Sequence, residues 1–391
     1  MFNRRDFLTD FFGATTGLFF VGCMPLEASV SSESNRVGKR REILVHDRRA
    51  ITVDVHCHCV IDIRDLVKDH YDGRHVSQSY GAFAPDPFVD PSRPMFMDPT
   101  SVEARLRYMD ERGIDVQAVS LLPGYSYAYW AEEDVARKIV LRQNEQIAEL
   151  CTAHPDRFVG LGAVAVQHAT LAVQQMEYGV KQLGLKGFEI GCSVNGDELS
   201  APKFSPFWAK AEELETFIFL HPDGFPEGER RLQGNGLLAN VVGNPLETTV
   251  ALSHLIFEGV LDHYPRLKIC AAHGGGFLAS YLGRSNHCAG ASPDCKPIKK
   301  LPSEYFKNQL YCDSLVFTPE DLRHLLAEVG ADHVLLGTDY PASMSGNHMG
   351  DDRGADFILG IPGLSDYDRR AILGENAAKL LKIPPLSSRQ G

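Results

Sequence analysis

The sequence predicts an α/β protein of the (β/α)8 class, a TIM barrel. After residue 50, short runs rich in β-branched residues alternate with longer segments of helical character, eight of each. Such alternation is typical of a parallel sheet covered by helices, and eight units close a barrel. A doubly wound open sheet is the alternative, but it should carry a glycine-rich phosphate-binding turn after its first strand. Here His56-Cys57-His58 stands at that place, which favours the barrel.

The predicted elements follow one another without an internal repeat. The strands are Ile51–His56, Asp115–Leu121, Phe158–Val164, Gly187–Gly191, Thr216–Leu220, Leu267–Ala272, Gln309–Asp313 and His333–Gly337. The helices are 101–112, 133–152, 169–183, 205–214, 247–263, 275–287, 319–329 and 366–382. Several helices show apolar residues at i, i+3 and i+4 spacing. Long loops, 60–100 and 338–362, follow the first and last strands, and we expect both at the carboxyl-terminal mouth of the barrel.

Composition excludes some classes of partner. The chain has 391 residues, of which 44% are apolar and 23% charged, as in ordinary soluble globular proteins. Its net charge is −12, and no segment is dominated by lysine and arginine. We therefore expect no nucleic-acid partner and no binding to an acidic membrane surface.

The first 30 residues predict an export signal. Arg4 and Arg5 precede a moderately apolar stretch, 11–21, which is shorter than the roughly 20 apolar residues of a spanning helix. The paired arginines followed by Phe-Leu resemble a twin-arginine signal, which predicts a periplasmic protein. A buried amino-terminal helix is the alternative.

The next segment predicts a connection to the barrel. Cys23 ends a sequence that resembles a lipoprotein cleavage site, so a lipid anchor there is a further prediction. Residues 31–50 are polar and predict a tether, which leaves 51–391 as the enzyme domain.

The nine cysteines fall into two groups. Those in or beside predicted strands, such as Cys57 and Cys59, are expected to pack as small apolar groups. Cys288 and Cys295 lie in the loop-like segment CAGASPDC and are the cysteines that can pair.

Residues of metal-binding type stand at the ends of four predicted strands. His56 and His58 end the first strand, His221 the fifth and His273 the sixth, and Asp339 follows the eighth. Residues two apart on a strand face the same side, so both imidazoles of the first strand can face the barrel axis. Two hydrogen-bonded histidines near a strand end would explain that pair alone, but not the other three residues. Imidazole and carboxylate together suit zinc and related metals, so we predict one metal ion at the barrel mouth.

These motifs resemble the amidohydrolase superfamily, most closely its decarboxylating branch. The resemblance covers about residues 51–383. It includes RFVGLGAVAVQ at 157–167, the run at 247–276 that ends in His-Gly-Gly-Gly, LGTDYP at 336–341 and GENAAKLL at 374–381.

The resemblance also implies roles for individual residues. It implies a zinc ion whose ligands are His56, His58, His221 and Asp339. It implies that His273 is the acid/base residue beside a metal-bound water, with Asp339 as a second catalytic group. It further implies that Arg284 binds a substrate carboxylate, often across the interface of a homodimer.

Other residues leave alternatives open. Arg74 and Arg93 are both candidates for a second contact with a substrate carboxylate. Asp313, at the end of the seventh strand, either orients a ligand or makes a structural hydrogen bond. Four aromatic residues in LLPGYSYAYW, after the second strand, either line the site of a planar substrate or pack beneath the long loop: Tyr125, Tyr127, Tyr129 and Trp130.

The first functional hypothesis is a metal-dependent carboxy-lyase that acts on a conjugated or aromatic carboxylic acid. The alternative is a hydrolase of C–O, C–N or C–C bonds, because one fold and one metal site can host both chemistries. A third hypothesis is an exported binding protein without catalysis. The complete ligand set together with His273 argues against that third hypothesis.

Overall fold

The computed structural model describes residues 40–67, 102–123, 127–234, 237–289, 298–341 and 350–385. The predicted export signal, Cys23, Arg74, Arg93 and Cys295 lie outside these residues.

Eight parallel strands form the sheet, each close to its predicted position. They are β1 (Val53–Cys59), β2 (Val116–Leu121), β3 (Phe158–Gly162), β4 (Gly187–Ile190), β5 (Phe217–Leu220), β6 (Lys268–Ala271), β7 (Leu310–Asp313) and β8 (Val334–Leu335). Strands consecutive in the chain are neighbours in the sheet. The two edges meet where Val55 N–H donates to Leu336 O at 2.9 Å and Asp339 N–H donates to His56 O at 2.7 Å. The predicted (β/α)8 TIM barrel is therefore confirmed.

Helices lie in all eight predicted segments, and four short helices, Arg64–Val67, Glu229–Leu232, Pro302–Tyr305 and Ala355–Leu359, were not predicted. Their bounds are Arg64–Val67, Val102–Arg112, Glu133–Ala153, Ala169–Lys181, Ser205–Glu213, Glu229–Leu232, Asn244–Phe257, Val260–His263, Leu282–Cys288, Pro302–Tyr305, Pro319–Val329, Ala355–Leu359, Asp366–Arg370 and Asn376–Leu380. A π-helical turn, Ala371–Glu375, joins the last two helices. Among the described helices, none has both the length and the apolar character needed to cross a membrane.

The predicted helix 275–287 begins later than expected. Gly274, Gly275 and Gly276 have φ angles of 65°, 77° and 66°, which are left-handed values that cannot continue a right-handed helix. A Cβ atom on Gly276 would lie 2.3 Å from the carbonyl oxygen of Pro245. These glycines therefore let the chain after β6 turn closely against its neighbours before the helix Leu282–Cys288 begins.

The prediction of a polar tether is wrong for residues 40–50. Leu44–Val45 and Arg48–Arg49 pair as an antiparallel hairpin. Ile43 and Val45 are buried in the main apolar core. Burying these two side chains favours packing over an extended linker, although most of their neighbours in sequence are polar.

Two apolar layers hold the barrel together. One layer packs between strands and helices and contains residues from nearly every element. The other fills the barrel interior, with the strand residues Val53, Val55, Val116, Ala118, Leu161, Phe217, Phe219, Cys270 and Leu335 and with Ala272, which follows β6. Alternate strand residues thus face the axis and the helices, as in other barrels of this class.

An irregularity in β1 changes which residues face the axis. The pairing of β1 with β2 shifts register between Asp54 and Cys57. Such a bulge inserts one residue and reverses the inward and outward positions that follow it. Beyond the bulge, Cys57 and Cys59 pack among the helices, as predicted. His56 and His58 consequently face the barrel axis.

Candidate metal centre

The five predicted side chains converge at the carboxyl-terminal end of the barrel. His56, His58 and His221 form one group of potential metal ligands, and His56, His273 and Asp339 form another. Within each group the ligand atoms lie within 4.8 Å of one another. His56, His58, His221 and Asp339 are buried, and His273 is half-buried. The structure thus brings together residues from four separate strands of the barrel.

The Nε2 atoms of the imidazoles lie close to one another and to Asp339. The Nε2 atoms of His56 and His221 are 3.1 Å apart. Asp339 Oδ1 lies 3.5 Å from Nε2 of His56 and 3.3 Å from Nε2 of His58. Among the described residues, His58 Nε2 has no hydrogen-bond partner. Three ring nitrogens and one carboxylate in such a small volume fit a divalent cation, which accepts all their lone pairs.

Hydrogen bonds at the Nδ1 atoms fix the orientation of the same rings. Nδ1 of His56 lies 2.6 Å from Asp313 Oδ2. Nδ1 of His58 lies 3.1 Å from Leu121 O, and Nδ1 of His221 lies 2.7 Å from Pro222 O. Since carbonyl and carboxylate oxygens only accept, each Nδ1 is the protonated donor. In a neutral ring this leaves Nε2 with its lone pair free to bind a metal.

Asp313 accepts hydrogen bonds from several groups of the candidate metal centre. Besides His56, it accepts hydrogen bonds from the backbone N–H groups of His273 at 2.9 Å and Gly274 at 2.8 Å. Burial alone would raise the pKa of Asp313, but the hydrogen bond to His56 and the nearby imidazoles outweigh burial and lower that pKa. Of the two open alternatives, orientation of a ligand is the one that the geometry supports.

His273 differs from the other three histidines. Burial and the neighbouring His56 lower its pKa to about 4, so the ring is neutral near pH 7. Its Nδ1 has no hydrogen-bond partner among the described residues. A neutral, unpartnered imidazole at this position can accept a proton.

His273 and Asp339 share an unusual backbone conformation. Their φ angles are 56° and 57°, in the left-handed region that residues other than glycine rarely adopt. Such strained positions concentrate at functional sites, where the surrounding structure imposes them. Both side chains are thereby turned towards the barrel axis just beyond the strand ends.

Glu189 was missed by the sequence analysis. It lies on β4 and is 3% exposed. Its Oε2 atom is 3.5 Å from His58 Nδ1. Burial would lower the pKa of His58, but contacts with Asp339 and Glu189 raise it to about 10, so these carboxylates favour positive charge at the ring, which a cation bound at Nε2 would supply in place of the proton. The available signal was a single acidic residue between Phe188 and Ile190 in a short apolar strand.

Arg284 is the remaining predicted site residue. It is exposed on the helix Leu282–Cys288. Cys288, at the end of the same helix, is also exposed, whereas its predicted partner Cys295 is outside the described residues.

The chain is similar to one protein family and to several curated proteins. The amidohydrolase family model matches residues 53–383. A 2-amino-3-carboxymuconate-6-semialdehyde decarboxylase from Dictyostelium discoideum is 32% identical over 284 residues, which is 72% of this chain and 77% of that protein. Twelve curated proteins match significantly.

Solved structures agree with the fold. The crystal structure of 5-carboxyvanillate decarboxylase from Sphingomonas paucimobilis has a TM-score of 0.75 at 23% identity and covers 86% of this chain and 100% of that one. A dihydroxybenzoic acid decarboxylase from Polaromonas sp. JS666, with bound manganese and the inhibitor 2-nitroresorcinol, has a TM-score of 0.70 at 26% identity. It covers 88% of this chain and 100% of that one. Because the family model matches most of the chain, this protein belongs to the amidohydrolase family.

Proposed function

We propose that this protein is a metal-dependent carboxy-lyase that removes carbon dioxide, without oxidation, from an aromatic or conjugated carboxylic acid. The observation that carries the proposal is the cluster of four inward-facing ligands beside a neutral His273. The similar proteins named above are decarboxylases of such acids, which supports the same reaction class here.

The proposed ligands are His56, His58, His221 and Asp339. A divalent cation held there supplies positive charge that stabilises negative charge developing on the substrate. Three imidazoles and one carboxylate suit zinc, the cation that we propose. Manganese is the alternative, since it is bound in the Polaromonas structure.

The remaining chemistry requires one proton. When the bond to the carboxylate breaks, its electron pair stays on the substrate carbon, which must then be protonated. His273 is neutral, so it can take a proton from a substrate hydroxyl or from water and return it to that carbon. Asp339, with its oxygen near His56 and His58, contributes the carboxylate of the proposed ligand set.

Arg284 is proposed as a contact for a substrate carboxylate. Its planar guanidinium suits two parallel hydrogen bonds to a carboxylate. The residue is exposed on its own subunit, so it is available to the mouth of a second copy in a homodimer.

We further propose that residues 1–30 direct export, with attachment through Cys23 as a variant of that proposal. The paired arginines before an apolar stretch support it. A fusion of residues 1–50 to a reporter should be exported, and changing both Arg4 and Arg5 to lysine should block that export. Unchanged export of the double variant would contradict a twin-arginine signal.

Product analysis tests the function. The metal-loaded protein is incubated with 2,6-dihydroxybenzoate, 5-carboxyvanillate and 2-amino-3-carboxymuconate-6-semialdehyde, and carbon dioxide is measured beside the organic product. We expect carbon dioxide and the matching decarboxylated product from at least one acid. A hydrolysed product without carbon dioxide would support the hydrolase alternative, and absence of any turnover would support the binding protein.

A substitution tests the role of His273. His273→Ala should lower turnover by about 10²–10⁴-fold while metal content stays unchanged. His254→Ala is the matched control, because His254 lies on the outer helix and pairs with Glu258 at 2.7 Å. Near-full turnover of His273→Ala would contradict the proposed role.

A further inference from the structure

The loop after β2 reaches the metal centre through one tyrosine. The hydroxyl of Tyr127 lies 2.9 Å from Glu189 Oε1 and 3.2 Å from the carbonyl oxygen of His221. Its ring stacks on Tyr129, with centroids 5.2 Å apart and planes inclined by 8°. Tyr127 is thus in contact with both β4 and His221, the residue that follows β5.

Glu189 extends this connection to a second ligand. Its Oε2 atom lies 3.5 Å from His58 Nδ1 and has no hydrogen-bond partner among the described residues. The same Nδ1 donates to Leu121 O at 3.1 Å. Glu189 therefore adds negative charge beside an N–H group that is already oriented.

Glu189 is placed behind its histidine, away from the proposed cation. It contacts the Nδ1 edge of His58, whereas Asp339 contacts the Nε2 edge at 3.3 Å. Glu189 belongs to neither group of potential ligands. A carboxylate in this outer position makes the ring a stronger metal ligand without binding the metal itself.

Burial of the Glu189 carboxylate also indicates a role near a positive charge. Glu189 is buried among apolar strand residues, where a carboxylate with one unpartnered oxygen is costly unless a nearby positive charge compensates it. A cation held by His58 and His221 would provide that compensation. Tyr127 keeps the carboxylate in place through its other oxygen.

We propose that Tyr127 and Glu189 form a positioning pair that sets the affinity of the centre for its divalent cation. Glu189 acts through the ring of His58, and Tyr127 acts through Glu189 and the backbone of His221. This inference relies on the proposed function only in that the centre binds a divalent cation.

Metal affinity of the full chain tests the positioning pair. Dissociation constants for Zn²⁺ and Mn²⁺ are measured by competition with a chromophoric chelator for the wild type, Glu189→Gln, Tyr127→Phe and the double variant. Glu189→Gln keeps the shape but removes the charge, and affinity should fall by about 10- to 100-fold. Tyr127→Phe should have a smaller effect. The double variant should match Glu189→Gln within about threefold, because residues that act as a unit are not additive.

Tyr129→Phe is the matched control. Tyr129 belongs to the same loop and the same ring stack, but its hydroxyl accepts from the backbone N–H of Gly191 at 3.0 Å. Its metal affinity should equal that of the wild type within about twofold. The visible spectrum of the Co²⁺-loaded protein should change in Glu189→Gln and not in Tyr129→Phe, because the former alters the field at a ligand.

The possible outcomes separate the two proposals. If the wild type binds metal tightly and folded Glu189→Gln binds it equally well, the positioning pair is wrong while the proposed function stands. If Glu189→Gln does not fold, an unchanged affinity of Tyr127→Phe overturns the pair. If the wild type binds no divalent cation, the proposed function itself fails.

Discussion

At the scale of single residues, Asp313 is a buried carboxylate that contacts the proposed metal centre but belongs to neither group of potential ligands. It holds His56 through Nδ1 and the chain around His273 through two backbone N–H groups. One side chain thereby orients a proposed ligand and the proposed acid/base residue. Its contribution should be visible in both metal binding and turnover.

Asp313→Asn tests this dual contribution. The substituted amide retains one oxygen, but it removes the negative charge beside His56 and leaves fewer acceptors for the N–H groups. We expect metal affinity to fall by about 10- to 100-fold, and turnover at saturating metal to fall as well. Calorimetric metal titration and steady-state kinetics provide the measurements. Wild-type values in both would contradict the assigned role.

Glu247 provides a residue-scale test that is separate from the metal. It is buried in the helix Asn244–Phe257, where it accepts a hydrogen bond from Ser193 at 2.7 Å. Burial, with smaller effects of nearby acids, raises its pKa from 4.5 to about 7. The folded state therefore holds the proton more tightly than the unfolded state. This stabilisation is complete below the unfolded pKa and is lost as pH rises through the folded pKa.

Glu247→Gln should accordingly stabilise the protein at high pH. Glutamine can keep the bond to Ser193 but carries no charge at any pH. Relative to the wild type, the free energy of unfolding of Glu247→Gln should gain about 2 kcal/mol between pH 5 and pH 8. Urea unfolding at the two pH values measures this difference. Glu149→Gln, on an exposed helix position, is the control, and identical pH profiles for all three proteins would contradict the prediction.

At the scale of elements, two features position the residues of the proposed metal centre: the bulge in β1, and the close approach of the chain after β8 to β1. The bulge turns His56 and His58 inward. Gly337 lets the chain after β8 approach the same strand, since a Cβ atom there would lie 2.8 Å from the Cβ of His56 and 3.0 Å from that of Asp313. Both contacts are with the hydrogen-bonded pair His56 and Asp313.

Gly337→Ala tests this close approach. The added methyl group cannot be accommodated unless β8 or the His56–Asp313 pair moves. We expect a loss of stability of about 1–3 kcal/mol together with weaker metal binding. Gly283→Ala is the matched control, because no atom lies within 4 Å of its added Cβ. Equal melting temperatures and metal affinities for the two variants would contradict the structural argument.

Element positions could be predicted well because they depend on local patterns. Apolar periodicity and turn residues located all eight strands and the main helix after each strand, but not four short helices in the connections. The bulge could not be predicted, because the sequence VDVHCHC alternates equally well with or without an inserted residue. The late start of the helix after β6 was missed for a related reason, since glycine tolerates both helical and left-handed conformations.

At the scale of the whole molecule, barrel topology brings distant residues together. His56 and Asp313 are 257 positions apart in the chain and 2.6 Å apart in space. The sequence could place the five metal-site residues on one rim, because parallel strands in a barrel end at the same face. It could not assign partners such as Asp313 and Glu189, whose roles depend on which neighbour their side chains meet.

The central claim is that the cation held by His56, His58, His221 and Asp339 is required for carbon dioxide release. Metal-depleted protein is titrated with Zn²⁺, and in parallel with Mn²⁺, while carbon dioxide is measured with the best acid of the panel. Release of carbon dioxide should be negligible without metal and should rise linearly until one ion is bound per chain. Full activity of the metal-depleted protein in the presence of a strong chelator would contradict this claim.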